Sequence, residues 1–264
     1  MLPLECLVRG NADIDTALVI SENRSVYCHN QSAEQQGIRK DMSLSTAQAL
    51  CPTLKILERC HKQEQRLLLN LADWCYRFTP AISLHPPRSL LLEIRSCLRL
   101  FHGLPSLLSR LYSGLRQQGL SPVISVAPTP AAASLFASAD HKDWSRFCDP
   151  CSGESDQAAF LETLAELPLS TLPISKRQHQ QMQRTGFKYL GDLFALNPTA
   201  LGRRFGKHFN QLLAKIRGEL HDPQAIQKPL QCFENEIHLL DSIDKQEQLL
   251  TVMETLYGIV IFSS

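Results

Sequence analysis

The chain has 264 residues, of which 44% are hydrophobic and 20% charged, and its formal net charge is +1. This composition is ordinary for a globular protein with a sizeable core, and no apolar run approaches the roughly 18 residues of a membrane-spanning helix. No signal peptide opens the chain, and the nine cysteines show no repeating spacing. A membrane protein and a disulfide framework are therefore excluded, and we expect a cytoplasmic protein of about two domains.

Residues 1 to 21 are expected to hold one strand and the segment that leads to it. The strand is predicted over Ala17 to Ile20, and Asp13 and Asp15 lie in the polar loop before it. These two aspartates could be proposed as metal ligands, but the composition of the loop favours a solvated turn.

Residues His61 to Arg77 are predicted to form a core helix, because apolar residues recur there at helical spacing. The stretch after this helix carries the signals of a β-hairpin. Strands are predicted over Ala81 to Leu84 and Ser89 to Ile94, joined by a turn at Pro86-Pro87, and a helix is expected to begin near Gly103.

Three more elements are predicted before the middle of the chain. They are a helix over Leu104 to Gln118, a strand over Pro122 to Ala127 and a helix over Thr129 to Ala139. Helices that cross one face of a small antiparallel sheet predict an α+β fold.

Among the cysteines, the spacing Cys148-Asp149-Pro150-Cys151 is the one that is typical of a metal site. A structural zinc site needs four ligands, and His141 is the only nearby addition to the two cysteines. A loop at a domain junction is therefore favoured over a zinc site.

The segment from Ser175 to Arg217 is strongly basic although the whole chain is nearly neutral. It contains nine Lys or Arg residues and one acid, Asp192, so it carries a net charge of +8 and the rest of the chain −7. A solvated helical face would mix the two signs, whereas a basic patch is typical of binding to a phosphate backbone. We therefore expect a nucleic-acid partner. The nine residues are Lys176, Arg177, Arg184, Lys188, Arg203, Arg204, Lys207, Lys215 and Arg217.

Capping residues and glycines divide this segment into four predicted helices. The first helix begins at its cap Ser175, runs to Arg184 and is ended by Gly186. A connector over Phe187 to Leu193 leads into the second helix. Asn197 caps the third helix, which Gly206 ends, and the fourth runs from His208 to Arg217.

These pieces resemble, in a fixed order along most of the chain, the Y-family DNA polymerases of the DinB/UmuC superfamily. In this chain the hairpin lies between Phe78-Thr79-Pro80 and Phe101-His102-Gly103, which resemble the residues that flank the hairpin of the family. The residues Pro86-Pro87 and Leu90-Leu91-Leu92-Glu93 are similar to those of its ImuB branch. Further matching pieces are Lys40-Asp41-Met42-Ser43, Cys51-Pro52, Ser125 to Pro130, Gly186-Phe187, Leu190 to Leu193, Phe205-Gly206 and Arg217-Gly218.

The resemblance implies a ferredoxin-like palm with small inserted fingers, followed by an all-helical helix-hairpin-helix thumb. Residues 1–150 would form the palm with the fingers at about 22–60, residues 151–222 the thumb, and residues 223–264 a linker and the start of an incomplete little-finger domain.

The departures from the family pattern concern its catalytic residues. Where the family keeps metal-binding carboxylates the turn reads Arg88-Ser89, and Glu93 is the one acid left on the second strand. Two-metal phosphoryl transfer needs clustered carboxylates, and an arginine cannot bind a divalent cation. We therefore expect no catalytic residues.

Other family positions also differ. The side chains that would grip a nucleoside triphosphate correspond to Ser32, Glu34 and Ser134, and an acid there repels phosphate. The segment Met1 to Glu5 resembles the stretch that comes after the strand bearing the first catalytic aspartate. The family's first thumb hairpin, Gly-Ile-Gly, is Leu172-Pro173-Ile174 here, which weakens backbone contact with DNA.

Two functions are implied by the resemblance. The first is a non-catalytic DNA-binding adaptor of translesion synthesis and induced mutagenesis (DNA repair, the SOS response), with an error-prone replicative-type polymerase, a sliding clamp and the RecA-like ImuA as partners. The second is an active error-prone DNA polymerase, which alone would require Mg²⁺; a gene product without function stays open beside them. The expected DNA-binding residues are Lys176, Arg177, Lys188, Arg203, Arg204 and Lys207.

Overall fold

The computed structural model describes residues 16–228. Within them the chain forms two small sheets and ten α-helices, a mixed α+β arrangement. The strands are β1 (Leu18–Glu22), β2 (Ser25–His29), β3 (Lys55–Glu58), β4 (Ile82–His85) and β5 (Ser89–Leu92). The helices are α1 (Gln31–Gln35), α2 (Leu44–Leu50), α3 (His61–Cys75), α4 (Leu104–Gln117), α5 (Pro130–Ser138), α6 (Gln157–Ala165), α7 (Lys176–Arg184), α8 (Leu190–Phe194), α9 (Pro198–Phe205) and α10 (Lys207–Arg217).

The first sheet is built around β1, which pairs antiparallel with β2 and parallel with β3. The central strand β1 is buried over Leu18 to Ser21, and Val19 and, on β2, Val26 are completely buried. They pack with Ala33 and Ala47 of the two short helices in a small core of their own. The strand predicted over Ala17 to Ile20 is confirmed as β1.

A buried arginine fastens this sheet to α3. The Arg59 guanidinium lies 2.7 Å from one carboxylate oxygen of Glu64 and 3.2 Å from both oxygens of Glu22, and it stacks 3.9 Å from the centre of the Tyr27 ring. Glu64 holds the pKa of Arg59 above its usual value, against the opposing effect of burial. Breaking such a pair would leave an uncompensated buried charge, so the network fixes the orientation of the sheet on α3.

The second sheet is the predicted hairpin. β4 and β5 pair antiparallel, with Ile82 opposite Leu92 and His85 opposite Ser89. The second strand ends at Leu92, two residues before the predicted end, because a 3₁₀ turn over Arg95–Cys97 begins almost at once. Glu93 still donates its backbone N–H to the Ala81 carbonyl at 2.9 Å.

The predicted strand over Pro122 to Ala127 is wrong. Its apolar side chains Ile124 and Val126 do pack against the main core, as the alternation indicated. Among residues 16–228, however, the segment forms a hydrogen-bonded ladder with no strand. An apolar alternation predicts a buried face, but a strand also needs a partner.

The basic helices follow their capping signals. Ser175 and Gln178 form a reciprocal capping box at the start of α7, and Asn197 accepts the Thr199 N–H at the start of α9. The predicted connector over Phe187 to Leu193 already contains the start of α8, because the carboxylate of Asp192 caps that helix.

One hydrophobic cluster joins the hairpin to the last helix. It contains Ile82 of β4, Phe136 of α5, Phe160 of α6 and Ile216 of α10, all completely buried. The Thr129 hydroxyl adds a polar tie, since it accepts the Ala132 N–H at the start of α5 and donates to the Ile216 carbonyl at 3.1 Å.

After α10 the chain returns to the hairpin through residues 219–227, a segment without regular secondary structure that we call the strap. The Gln227 N–H donates to the Ile82 carbonyl at 2.7 Å, and the Tyr76 hydroxyl donates to the Gln227 carbonyl. Three residues earlier, Gln224 Oε1 lies 2.8 Å from His85 Nε2. The strap therefore runs antiparallel to β4 along the edge that faces away from β5.

The chain divides into two compact units after Gln227, and all described residues except Lys228 belong to the first. The division of that unit at residues 150 and 151 stays a prediction, and the predicted little-finger start lies almost wholly outside the described residues. Of the helices within residues 16–228, none combines the length and the apolar character that crossing a membrane requires.

Close packing at Gly114 of α4 gives a first prediction. A Cβ added there would lie 2.4 Å from the Trp74 ring, which itself packs on Phe78. Alanine is the better helix former, but the overlap outweighs that gain, so Gly114→Ala should lower the free energy of unfolding by about 1–2 kcal/mol. Urea denaturation followed by circular dichroism measures it.

The matched control is Ser113→Ala, an exposed position on the same helix, which should stay within about 0.5 kcal/mol of the wild type. A Gly114→Ala variant at least as stable as the wild type would contradict this close packing against Trp74.

Candidate nucleic-acid interface

The hairpin turn presents an arginine and a hydroxyl rather than a pair of acids. Arg88 and Ser89 are both exposed, and Ser89 is the first residue of β5, opposite His85. Glu93 lies just beyond the other end of β5. Its carboxylate accepts the backbone N–H of Arg95 at 2.8 Å and the Ser96 hydroxyl at 2.9 Å. The acid therefore caps the 3₁₀ turn that comes after the strand.

These residues do not fit a pair of divalent cations. Two-metal catalysis requires several carboxylate oxygens around ions about 3.5–4 Å apart, and the hairpin offers one carboxylate that already accepts two local hydrogen bonds. Within residues 16–228, no group of three or more His, Cys, Asp or Glu side chains is arranged so that it could hold a metal ion. Asp13 and Asp15 lie outside the described residues.

The residues expected at triphosphate-gripping positions make local contacts. Glu34 pairs with Arg39 at 3.5 Å on the exposed surface, and the Ser134 hydroxyl donates to the Pro130 carbonyl within α5. Ser32 is half-buried in α1.

The Cys148–Cys151 segment forms a tight turn around an aspartate. Asp149 accepts the N–H groups of Cys151 and Ser152, which lowers the pKa of its carboxyl. Cys148 is buried, and burial raises the pKa of its thiol, which disfavours the thiolate that a metal requires. This geometry agrees with the loop interpretation.

The six expected DNA-binding side chains lie on the helical part of the chain and are all exposed. Lys176 and Arg177 open α7, Lys188 precedes α8, and Arg203 and Arg204 end α9 where Lys207 opens α10. The glycine between α9 and α10, Gly206, has φ of +92°, and a Cβ added to it would meet no atom within 4 Å, so the turn is open to solvent. Residues 197–218 around this turn include no acid, so the charge of this stretch is positive.

The two hairpins of the helical part differ in how their backbone donors are used. At the first, Gln178 and Ser175 satisfy each other's N–H groups, and the exposed Pro173 offers none. At the second, Gly206 supplies no side-chain cap to the eleven-residue helix α10. The positive end of that helix therefore faces solvent among three cations, Arg203, Arg204 and Lys207.

Sequence reasoning missed that two of the nine cations are neutralised within the chain. Lys215 Nζ lies 2.8 Å from Asp222, and Arg217 lies 2.7 Å from Glu219. Both acids come directly after α10, just beyond the basic segment from Ser175 to Arg217. A charge count extended by five residues would have revealed them.

Comparison with known proteins gives a consistent result. The family model described as impB/mucB/samB matches residues 12–138. Protein ImuB of Caulobacter vibrioides is 26% identical over 216 residues, which are 82% of this chain and 45% of that protein. DNA polymerase IV of Colwellia psychrerythraea is 24% identical over 238 residues, which are 89% of this chain and 65% of that protein. The chain thus spans about half the length of the ImuB relatives.

Solved structures show the same fold. A ternary insertion complex of Dbh DNA polymerase superposes with a TM-score of 0.65 at 16% identity, over 84% of this chain and 66% of that one. A Y-family DNA polymerase chimera gives a TM-score of 0.64 at 14% identity, over 86% of this chain and 67% of that one. At this identity the likeness establishes the fold alone.

Asp192 gives a prediction about pH. The N–H groups of Tyr189 and Lys188 lower the pKa of its carboxyl below the ordinary 3.8. The carboxylate therefore contributes stability above its unfolded pKa, and that contribution disappears as the pH falls through the lower folded pKa. Asp192→Asn should be less stable than the wild type at pH 7, and the difference should shrink below about pH 4.

Thermal unfolding from neutral to acid pH checks this expectation. Asp140→Asn is the control, because it also removes a carboxylate, but one whose contact is an exposed ion pair with Lys142. A difference between wild type and Asp192→Asn that stays constant down to acid pH would show that the charge does not matter.

Proposed function

Because residues 12–138 carry an impB/mucB/samB family domain on the fold of Y-family DNA polymerases, we propose that this protein is a DNA-binding adaptor of damage tolerance. It holds primer-template DNA through the phosphate backbone and does not extend it. Its place would be in translesion synthesis and induced mutagenesis.

The hairpin turn carries the proposal. By the family resemblance, Arg88 and Ser89 correspond to positions at which nucleotide addition requires carboxylates, and the Glu93 carboxylate accepts hydrogen bonds from Arg95 and Ser96. A guanidinium repels Mg²⁺ and attracts phosphate, so the charge at this turn is inverted relative to a polymerase. DNA can be held beside such a turn, but the metal-assisted step lacks its ligands there.

The helical part supplies the affinity. Six exposed Lys and Arg side chains and the uncapped start of α10 present positive charge on neighbouring turns. Phosphate contacts of this kind position a protein on DNA without reading bases. The first hairpin contributes less, because its donors are satisfied internally and Pro173 has none.

The family fold suggests a division of labour along the chain. We assign residues 1–150 to the palm, with the fingers at about 22–60, and residues 151–222 to the thumb. Residues 223–264 would be a linker and the start of a little finger. An error-prone replicative-type polymerase, a sliding clamp and a RecA-like ImuA are the proposed protein partners, as the resemblance to the family implies.

A second candidate is an active error-prone polymerase. The 24% identity to DNA polymerase IV over 89% of this chain favours it. Glu93 would then have to leave its local hydrogen bonds and join carboxylates that lie outside residues 16–228. The two candidates differ in one observable, the incorporation of nucleotides.

Primer extension with Mg²⁺ or Mn²⁺ separates them. We expect no extension above background by the wild type on undamaged or damaged templates, and no change on Glu93→Ala. Extension that disappears in Glu93→Ala would make this protein a polymerase. If the protein neither extends nor binds the DNA, it is a remnant without this function.

Binding is tested on the same DNA by titration at several salt concentrations. Replacing Lys188, Arg203 and Arg204 with glutamine should lower the slope of log K against log salt by about 0.9 for each phosphate that is no longer neutralised. Lys142→Gln, an exposed lysine paired with Asp140, is the control and should leave the slope unchanged. Equal slopes in the triple variant and the wild type would refute the assigned face.

A further inference from the structure

The strap carries two acids that neutralise cations of the last basic helix. We infer that Asp222 keeps Lys215 out of the DNA-binding face and so sets the extent of that face. This inference rests on the proposed function, because it concerns how many phosphates the basic helices contact.

The contact between Lys215 and Asp222 is well defined. Their charged atoms lie 2.8 Å apart, and the carboxylate-bearing side chain is only 14% exposed against 37% for the lysine. Partial burial reduces the screening of this pair, so it is stronger than an exposed one. A phosphate in solution would have to displace a carboxylate that the fold already holds in place.

The strap is anchored on both sides of Asp222. Upstream, the N–H groups of Glu219 and Leu220 donate to the Ala214 carbonyl at the end of α10. Downstream, Gln224 donates to the Asp222 carbonyl and contacts His85. The acid is thus a fixed intramolecular substitute for a phosphate.

Lys215 continues a line of side chains that begins in the DNA-binding face. Lys207, Gln211 and Lys215 are spaced four residues apart on α10 and so share one side of the helix. The two lysines are about 12 Å apart along the axis. Without Asp222, the positive face at the start of α10 would extend along the whole helix.

The second acid of the strap provides an internal contrast. Arg217 pairs with Glu219 at 2.7 Å, but its guanidinium also stacks on the Phe194 ring at 5.4 Å and its side chain is only 21% exposed. Its carbonyl accepts from Gln157. Removing Glu219 would leave Arg217 held against the core, so this pair does not limit the DNA-binding face.

The experiment is salt-dependent DNA binding by Asp222→Asn, Glu219→Gln, Lys215→Gln and the double variant Asp222→Asn/Lys215→Gln, on the full chain. We expect Asp222→Asn to steepen the slope of log K against log salt by about 0.9, which enlarges the decrease in affinity between 50 and 200 mM salt about three- to four-fold. Glu219→Gln and Lys215→Gln should match the wild type, and the double variant should return to the wild-type slope.

The outcomes distinguish a failure of this inference from a failure of the proposed function. A wild type that binds DNA while Asp222→Asn keeps its slope overturns the inference and leaves the proposed function intact. A steeper slope that survives in the double variant also overturns it, since the added contact would not be Lys215. If neither the wild type nor the Asp222→Asn variant binds DNA, the inference and the proposed function are both overturned. Binding that is seen only in Asp222→Asn supports the inference. Thermal unfolding of each variant shows that the compared proteins are folded.

Discussion

A single apolar cluster ties the hairpin to the basic helices, and the other features of the molecule depend on it. Ile82 and Ile216 are 134 positions apart in sequence and belong to the same buried cluster. Burying large side chains over such an interface contributes about 25 cal/mol for each Å² removed from water, far more than the surface ion pairs around it. The Thr129 hydroxyl adds direction, because it meets the Ile216 carbonyl in one orientation only. As a result, the charged face of α9 and α10 is held in a fixed relation to the hairpin turn.

Local signals in the sequence predicted local structure well. Ser175, Asn197 and Gly206 mark helix boundaries because capping and left-handed turns depend on a few neighbouring residues. The hairpin was also predictable, since its alternation and its turn lie in one short stretch. Features that require a distant partner were not. The segment over Pro122 to Ala127 has the alternation of a strand, and whether it pairs is decided by the elements that lie beside it.

The candidate site was predictable in its composition and unpredictable in its contacts. The excess of cations and the missing acids at Arg88-Ser89 can be read from the sequence. That Glu93 caps a turn depends on the position of Ser96, and that Lys215 is neutralised depends on how the chain folds back after α10. Charge counts over a segment treat all cations as equal. The fold makes them unequal, because seven of the nine are exposed and two are paired and half-buried.

The strap along β4 also affects how copies of this protein behave towards one another. A hairpin edge with unpaired backbone groups is a template onto which a strand of another molecule can add, and exposed edges are a common origin of aggregation. Here the chain lays its own residues 224–227 on the outer edge of β4. This edge of β4 is therefore covered by a segment of the same chain. The strap thus occupies, within one molecule, the position at which a strand of another molecule would otherwise add to β4.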